Sequence, residues 1–424
     1  MTPAQIAVVA ITVGLCALDG FDVLAVSFAA PGIAREWGID RAALGIVLSM
    51  ELVGMVIGSV LVGGLADRIG RRRTMLGCLA VMTLGMAMAT SARSVGALSA
   101  WRVITGIGIG GMVPTISAVA AEFANVRRRD LCVSLMAIGY PVGAVVGGSI
   151  SALLLRHSEW RAVFAFGAIV TALWMPVVLL WVPESVSWLC QRRPAQALQR
   201  VNLSLARLGY RPVAVLPAVS MAPRVPVAAI WQRDLRMTTV LTTLAYFLHV
   251  TSYYFVVKWV PKFVVDMGFA PAAAAGVLVW ASVGGATGGM VLGLLAQRFG
   301  VKALTLALML ASSVMLAVFG AGWTSLQQLS QICALTGFCT HGALVGMYVI
   351  LTRAYPAATR GTGTGFVVGV GRGGAVLAPI VAGFLFRAGH SLQFVAVLMG
   401  AGSMLAAVAL GLLRVKPPEL AATE

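Results

Sequence analysis

Long runs of apolar residues, separated by short polar or charged turns, dominate the pattern along the chain. Each run reaches about 20 residues, the length at which an α-helix crosses the hydrocarbon core of a bilayer. The pattern therefore predicts an all-α chain with twelve transmembrane helices, at approximately 6–33, 42–66, 73–93, 96–123, 129–155, 160–182, 237–262, 271–297, 301–322, 325–353, 360–387 and 391–414.

One long polar segment, residues 183–236, separates the sixth run from the seventh. It contains eight arginines and has prolines at positions 194, 212, 217, 223 and 226. This composition is typical of a connection rather than of a membrane span. The sequence therefore predicts an N-terminal six-helix bundle (1–182), a basic linker (183–236) and a C-terminal six-helix bundle (237–424).

Composition supports an integral membrane protein. Of the 424 residues, 59% are hydrophobic and only 11% are charged, which is too few charges to cover the surface of a soluble protein of this size. The six cysteines form no CxxC motif, and most lie inside apolar runs, so we expect buried thiols rather than disulfides or metal ligands. These five are Cys16, Cys78, Cys132, Cys333 and Cys339. The sequence predicts no metal site and no cofactor.

The net charge of +17 would suggest nucleic-acid binding in a soluble protein, but its distribution indicates membrane orientation instead. If both termini are cytoplasmic, 21 of the 31 basic residues fall on the cytoplasmic side, including Arg71–Arg73, Arg127–Arg129, the linker arginines, Arg414 and Lys416. Seven fall outside and three within the membrane. We therefore predict that both termini are cytoplasmic and that the protein has no nucleic-acid partner.

The two predicted bundles resemble each other in sequence. GGLADRIG at 63–70 matches LGLLAQRFG at 292–300, which places Asp67 opposite Gln297 at an offset of 230 residues. The same offset aligns GYPVGAVVGG at 139–148 with GVGRGGAVLA at 369–378. Two parallel six-helix repeats predict a substrate path between the halves near the middle of the membrane.

Charged residues inside the predicted helices are candidate site residues, because charges in hydrocarbon are costly. Asp19 and Asp22 lie near the middle of the first helix, and their spacing of three places both on one face. Two such close carboxylates cannot easily both ionise, which makes the pair a candidate proton carrier; pairing with arginines is the alternative. Arg372, flanked by glycines, is a candidate ligand for a substrate carboxylate or a permanent salt-bridge partner.

Other intramembrane groups allow two interpretations each. Glu51 is either a second proton site or a salt-bridge partner of Arg102. Lys258 either extends to the membrane surface or attracts an anionic substrate. His249 and His341 are either hydrogen-bonded core residues or substrate ligands. Several aromatic residues are candidates for stacking on a planar ligand, although Trp and Tyr also occur at membrane interfaces: Tyr140, Tyr253, Tyr254, Trp280 and Tyr348.

The segment GGLADRIGRRR at 63–73 resembles the signature loop between helices 2 and 3 of the major facilitator superfamily. Arg102, followed by a glycine-rich stretch, resembles a second motif of that superfamily. The resemblance extends over essentially the whole chain and implies the major facilitator fold, with two pseudo-symmetric six-helix bundles. It implies gating roles for Asp67 and the basic cluster that includes Arg71.

Asp19-Gly20-Phe21-Asp22 resembles a narrower element, that of the aromatic acid:proton symporters. Pro183-Glu184-Ser185 and Gly371-Arg372 agree with that family. The resemblance implies transport roles for Asp19, Asp22, Asp67, Arg102, Glu122, Arg360 and Arg372. We therefore predict proton coupling at Asp19 and Asp22, substrate contacts at Arg372 and Arg102, and gating at Asp67, Arg71, Glu122 and Arg360. The place of the other intramembrane groups, rather than the resemblance, makes Glu51 a further proton-coupling candidate and adds further substrate-binding candidates: His341, His249, Tyr253, Tyr254, Lys258 and Trp280. We also expect a bacterial inner membrane location.

The resulting expectation is a monomeric, proton-coupled importer of small organic anions, most of all aromatic carboxylates of the benzoate or hydroxybenzoate type, acting by alternating access in the lipid bilayer. One alternative keeps the fold but changes the substrate to a non-aromatic acid, a sugar acid or a drug. Another is a membrane sensor without transport. The sequence shows no combination of nucleophile and base and no nucleotide loop, so we do not expect an enzyme.

Overall fold

A computed structural model describes residues 1–217, 226–356 and 359–413 of the chain, without the side chains of residues 63, 126, 130 and 297. Arg224, Arg414 and Lys416, counted above for orientation, lie outside the described residues, as does the side chain of Gln297. The described helices include twelve that are long and apolar enough to span a membrane, which confirms the predicted number.

The chain divides into two compact units. The first comprises Met1–Ile39 and Met50–Ala222, and the second comprises Asp40–Ser49 and Pro223–Glu424. The described part of the first unit contains eight α-helices: α1 (Pro3–Trp37), α2 (Arg41–Ile69), α3 (Arg71–Thr90), α4 (Val95–Phe123), α5 (Arg129–His157), α6 (Arg161–Trp181), α7 (Val186–Arg192) and α8 (Ala197–Arg207). The first residues of α2 are assigned to the second unit.

The second unit contains six long helices: α9 (Arg233–Asp266), α10 (Pro271–Phe299), α11 (Val301–Gly320), α12 (Leu326–Ala354), α13 (Arg360–Arg387) and α14 (Leu392–Leu412). Short 3₁₀ turns precede α5 and α9, at Val126–Arg128 and Val227–Trp231. The segment predicted only as a linker thus contains the helices α7 and α8. They were not predicted because they are short and lie among prolines and arginines.

Local sequence explains where several helices begin and end. Thr2 forms a capping box with Gln5 at the start of α1, and Gly38 ends that helix in the left-handed conformation. Gly70, with φ of 106°, makes the turn from α2 to α3, and Gly300, with φ of 79°, makes the turn from α10 to α11. These two turns occupy equivalent positions of the predicted repeat.

Close packing of α2 on α4 holds the centre of the first unit together. A Cβ added at Gly54 would lie 2.1 Å from the carbonyl oxygen of Val103, and one added at Gly106 would lie 2.1 Å from that of Glu51. Only glycine allows the two backbones this close, as is common where membrane helices pack. The contact brings Glu51 on α2 beside the segment of α4 that carries Arg102.

The first turns of α2 pack within the second unit. Ser49 Oγ donates a 2.8 Å hydrogen bond to the carbonyl oxygen of Val376 on α13, and Arg41 forms a 3.1 Å ion pair with Asp266 at the end of α9. A Cβ at Gly45 would lie 2.4 Å from the carbonyl oxygen of Pro379. One helix therefore belongs to both units, with its first turns in the second unit and the rest in the first.

Candidate functional site

The two acids of α1 lie in the interior of the first unit. Asp19 and Asp22 are both 0% exposed, and their carboxylate oxygens accept no hydrogen bond from the described residues of that unit. The helix α6 passes close by, since a Cβ at Gly167 would lie 3.5 Å from Oδ1 of Asp22. Buried carboxylates are normally hydrogen-bonded or paired, so two without such partners are an exception that calls for a functional explanation.

Arg102 and Glu51 form a buried ion pair beside these acids. The distance between Arg102 Nη2 and Glu51 Oε1 is 2.5 Å, and both side chains are 0% exposed. The same Nη2 also donates to the backbone oxygen of Asp22 at 3.0 Å, and the guanidinium lies over the ring of Phe164, 5.2 Å from its centroid. Of the two interpretations of Glu51, the structure shows the salt bridge. Because Arg102 Nη1 also lies 3.0 Å from Met86 Sδ on α3, Arg102 is held by four helices, α1, α2, α3 and α6.

Three of the predicted gating residues meet at the α2–α3 turn. Arg71 forms ion pairs with Asp67 at 2.6 Å and with Glu122 at 3.2 Å. The fourth, Arg360, is the exposed first residue of α13 and belongs to the second unit.

Glu184 completes this turn, although its motif was not assigned a role from sequence. Its Oε1 accepts the backbone N–H groups of Arg71 at 2.8 Å and Arg72 at 3.2 Å, at the start of α3. Those N–H groups have no partner within the helix, and a carboxylate at a helix N-terminus is favourable. Glu184 therefore fixes the beginning of α3, and with it the position of Arg71.

Aromatic side chains gather on α9 and α12 in the second unit. Tyr253 lies against both Tyr254 and His341, with ring centroids 5.2 Å and 5.7 Å apart. Tyr246 and Tyr348 face each other, and their hydroxyl oxygens are 2.9 Å apart. We call these five residues the aromatic group. Its rings and hydroxyls offer stacking and hydrogen bonding to a planar ligand.

Tyr246 was not among the predicted site residues. It lies seven residues before Tyr253, two helical turns away, and this spacing could have placed it on the same face. The ring of Tyr246 packs on Gly371, where an added Cβ would lie 2.1 Å from its Cδ1 atom. The next residue, Arg372, is partly exposed and forms no ion pair within the described part of the second unit. Arg372 thus lies beside the aromatic group, and no acid of the described part of the second unit competes with an anion for its guanidinium.

His249 has both ring nitrogens engaged. Nδ1 is 2.9 Å from Ser403 Oγ, and Nε2 is 2.8 Å from the backbone oxygen of Thr340. The side chain is 0% exposed. This geometry matches a hydrogen-bonded core residue, and a substrate contact would require one of these bonds to break.

Lys258 and Trp280 differ sharply in exposure. Lys258 is 0% exposed, so the interpretation that its side chain extends to the membrane surface is wrong. The sequence misled because Lys258 lies near the end of the predicted span 237–262, whereas the helix α9 that contains it continues to Asp266. Trp280, by contrast, is 54% exposed.

The five cysteines predicted to be buried are buried, which confirms that prediction.

A family profile described as Major Facilitator Superfamily matches residues 12–289 and 242–424 of the chain. The chain belongs to the major facilitator superfamily. The resemblance drawn from the loop at 63–73 is thereby confirmed.

Two curated relatives connect the chain to a narrower group within the superfamily. A gallate transporter of Pseudomonas putida is 30% identical over 399 residues, covering 92% of this chain and 88% of the relative. The 4-hydroxybenzoate transporter PcaK of Pseudomonas putida is 30% identical over 367 residues, covering 85% of this chain and 81% of that one. Both carry names of aromatic acid transporters, in agreement with the Asp19–Asp22 element.

Solved structures confirm the major facilitator fold. A bacterial homologue of the human lysosomal transporter Spinster, in an inward-facing and occupied conformation, matches with a TM-score of 0.76 at 14% identity, covering 97% of each chain. The proton:xylose symporter XylE matches with a TM-score of 0.66 at 17% identity, covering 95% of this chain and 94% of that one.

Proposed function

We propose that this major facilitator protein is a proton-coupled importer of small aromatic carboxylates of the benzoate or hydroxybenzoate type, acting by alternating access. We further propose that it works as a monomer in a bacterial inner membrane, with both termini in the cytoplasm. The names of its relatives support the substrate class, because gallate and 4-hydroxybenzoate both combine an aromatic ring with a carboxylate. The chemistry of each unit supports a separate part of this proposal.

Asp19 and Asp22 carry the protons in this proposal. The observation on which it rests is that both carboxyl groups are fully buried and accept no hydrogen bond within their unit. A second negative charge three residues away makes double ionisation costly, so the pair changes its proton content more readily than a paired acid does. Glu51 is held in its ion pair with Arg102 and is not a separate proton carrier in this proposal.

Arg372 and the aromatic group bind the anion. A guanidinium donates two parallel hydrogen bonds to a carboxylate, and Arg372 has no competing acid in the described part of the second unit. Tyr246, Tyr253 and His341 provide ring faces for the aromatic part of the substrate, and the hydroxyl of Tyr348, a residue that is 42% exposed, provides a polar contact. Arg102 and His249 remain proposed contacts of lower rank, because their polar atoms already have partners within the protein. Lys258 and Trp280 also remain proposed contacts of lower rank.

The ion pairs of Arg71 with Asp67 and Glu122 serve as a gate in this proposal, together with Arg360. They join the α2–α3 turn to the end of α4, so breaking them frees the turn to move. In this proposal a proton neutralises the Asp19–Asp22 pair and Arg372 neutralises the substrate carboxylate. Moving these groups through the membrane interior then costs less free energy.

An uptake assay tests the coupling. Purified protein in proteoliposomes is given labelled 4-hydroxybenzoate and an inward-directed proton gradient, and accumulation is compared with exchange at equal pH. We expect Asp22→Asn to lose accumulation at least about tenfold while it still exchanges substrate, because asparagine has nearly the same shape but carries no proton. The matched control is Glu159→Gln, whose side chain is 79% exposed.

Undiminished gradient-driven accumulation by Asp22→Asn would refute the proposed proton site.

The substrate class is tested in the same vesicles by competition with unlabelled benzoate, gallate, gluconate and succinate. We expect only the two aromatic acids to compete. Competition by gluconate or succinate alone would favour the alternative of a sugar-acid or organic-acid transporter.

A further inference from the structure

A cavity of about 310 Å³ lies at the end of the first unit where α7 and α8 pack beside the α2–α3 turn. Its volume is at the lower end of the range for ligand sites and suits a headgroup rather than a large molecule. Four arginines from two separated segments line it: Arg72 and Arg73 at the start of α3, and Arg200 and Arg207 on α8.

The positive charge of this cavity is largely uncompensated. Glu184 is the acidic residue among its lining residues, and its Oε1 already accepts the N–H groups of Arg71 and Arg72. Arg72 donates to the backbone oxygen of Leu179. Within the part of the chain that the structure describes, Arg73, Arg200 and Arg207 form no ion pair. A polyanionic or phosphate-bearing ligand would satisfy these guanidinium groups.

Apolar side chains border the same cavity. Leu203 on α8 is 60% exposed and Ile69 at the end of α2 is 36% exposed, and both line it. The other face of α8 buries Val201. A short helix with an apolar outer edge next to arginines is typical of a helix that lies at a membrane surface. Trp181, 64% exposed at the end of α6, is the kind of residue enriched at that depth.

We propose that this cavity binds the phosphate of an anionic phospholipid from the adjacent leaflet, with the acyl chains along Leu203 and Ile69. A free anion would need the arginines alone, whereas the exposed leucine and isoleucine beside them fit a ligand that has both a phosphate and a hydrocarbon chain. The lipid bridges α3 and α8, and thereby fastens α8 to the turn that carries Asp67 and Arg71.

Lipid titration of the purified full-length protein tests this site. Dioleoyl phosphatidylglycerol, dioleoyl phosphatidylcholine and inorganic phosphate are added separately in neutral detergent, and retained lipid is counted by native mass spectrometry. We expect phosphatidylglycerol alone to bind at this site. The variant Arg200→Gln/Arg207→Gln should bind it roughly twentyfold more weakly, since each basic residue near an anionic headgroup contributes about fivefold.

The matched control is Arg233→Gln/Arg236→Gln, which removes the same charge from exposed arginines at the start of α9 and should bind like the unchanged protein. A second variant, Leu203→Gln, tests the apolar part: it should weaken binding of dioleoyl but not of dihexanoyl phosphatidylglycerol. Equal binding by both arginine variants, or equal binding of phosphatidylcholine, would overturn the proposal. Displacement of the lipid by inorganic phosphate at equal concentration would assign the cavity to a free anion instead.

Discussion

Arg102 in the first unit and Arg372 in the second unit have opposite surroundings. In the first, Arg102 is 0% exposed and is fixed by Glu51, by the backbone of Asp22 and by the ring of Phe164. In the second, Arg372 is partly exposed beside the aromatic group and has no acidic partner in the described part of that unit. Both arginines lie within predicted spans, so depth in the membrane does not distinguish them.

This difference shows that the partners of a charged side chain, rather than its depth in the membrane, indicate its role. A guanidinium with a carboxylate at 2.5 Å and no exposed surface is part of the packing, and its removal takes a positive charge away from a buried carboxylate. A guanidinium without such a partner remains available to an incoming anion. The same contrast separates Glu51, which is paired, from Asp19 and Asp22, whose carboxylates accept no hydrogen bond within their unit.

The largest expected effect comes from breaking the Arg102–Glu51 pair. Arg102→Gln removes the positive charge that faces the buried Glu51 carboxylate, and we expect the free energy of unfolding to fall by about 3–5 kcal/mol. Arg372→Gln, the matched change in the second unit, should cost less than about 1 kcal/mol because it breaks no ion pair there. Thermal and denaturant unfolding in detergent measures both.

The double variant Arg102→Gln/Glu51→Gln sharpens this test, because it removes both charges together. We expect it to recover most of the stability lost in Arg102→Gln, since no unpaired charge remains buried. Equal losses for Arg102→Gln and Arg372→Gln would show that the two arginines do not differ in the way their contacts indicate.

The sequence predicted the twelve spans and the acid pair because both depend on local information. Span length, turn glycines such as Gly70 and the three-residue spacing of Asp19 and Asp22 are visible along the chain. It could not decide whether Glu51 pairs with Arg102, because that requires the packing of α2 on α4. It also missed Tyr246, whose ring packs on Gly371 of another helix.

Lys258 and the linker show two further limits of the sequence. The burial of Lys258 depends on tertiary packing around α9, which the residues beside it along the chain do not reveal. Helices α7 and α8 are short, and their stability comes from tertiary contacts: Trp188 Nε1 donates to the backbone oxygen of Asp67, and Ser204 Oγ donates to that of Glu184. Propensity alone does not predict such helices.

An intermediate effect is expected from filling the space beside the acid pair. A Cβ at Gly20, between Asp19 and Asp22, would lie 2.0 Å from the backbone oxygen of Tyr140, so Gly20→Ala must push α1 from α5. We expect a loss of about 1–3 kcal/mol in the free energy of unfolding. Gly369→Ala, on α13 one turn before Arg372, meets nothing within 4 Å and should be neutral or slightly stabilising.

Unfolding midpoints of these two alanine variants compare the regions directly. If Gly20→Ala were as stable as Gly369→Ala, the α1–α5 contact would have to be looser than the structure shows, and the acid pair would be less tightly enclosed. A loss of proton-driven accumulation in Gly20→Ala without a loss of stability would instead show that close packing at the acids matters for coupling alone.

The smallest expected effect is in the aromatic group. Tyr246→Phe removes the hydrogen bond to the Tyr348 hydroxyl, and the cost should be about 0.5–1.5 kcal/mol, because Tyr348 is 42% exposed and can bond elsewhere. Tyr210→Phe is the control: its hydroxyl, 3.3 Å from Gln5 Oε1, belongs to a residue that is 46% exposed, so the change should stay within about 0.5 kcal/mol. Uptake kinetics and unfolding are measured for both variants. If Tyr246→Phe weakened 4-hydroxybenzoate affinity more than about tenfold without changing stability, the hydroxyl pair would contact the substrate directly. The second unit would then recognise the aromatic part of the substrate as well as its carboxylate.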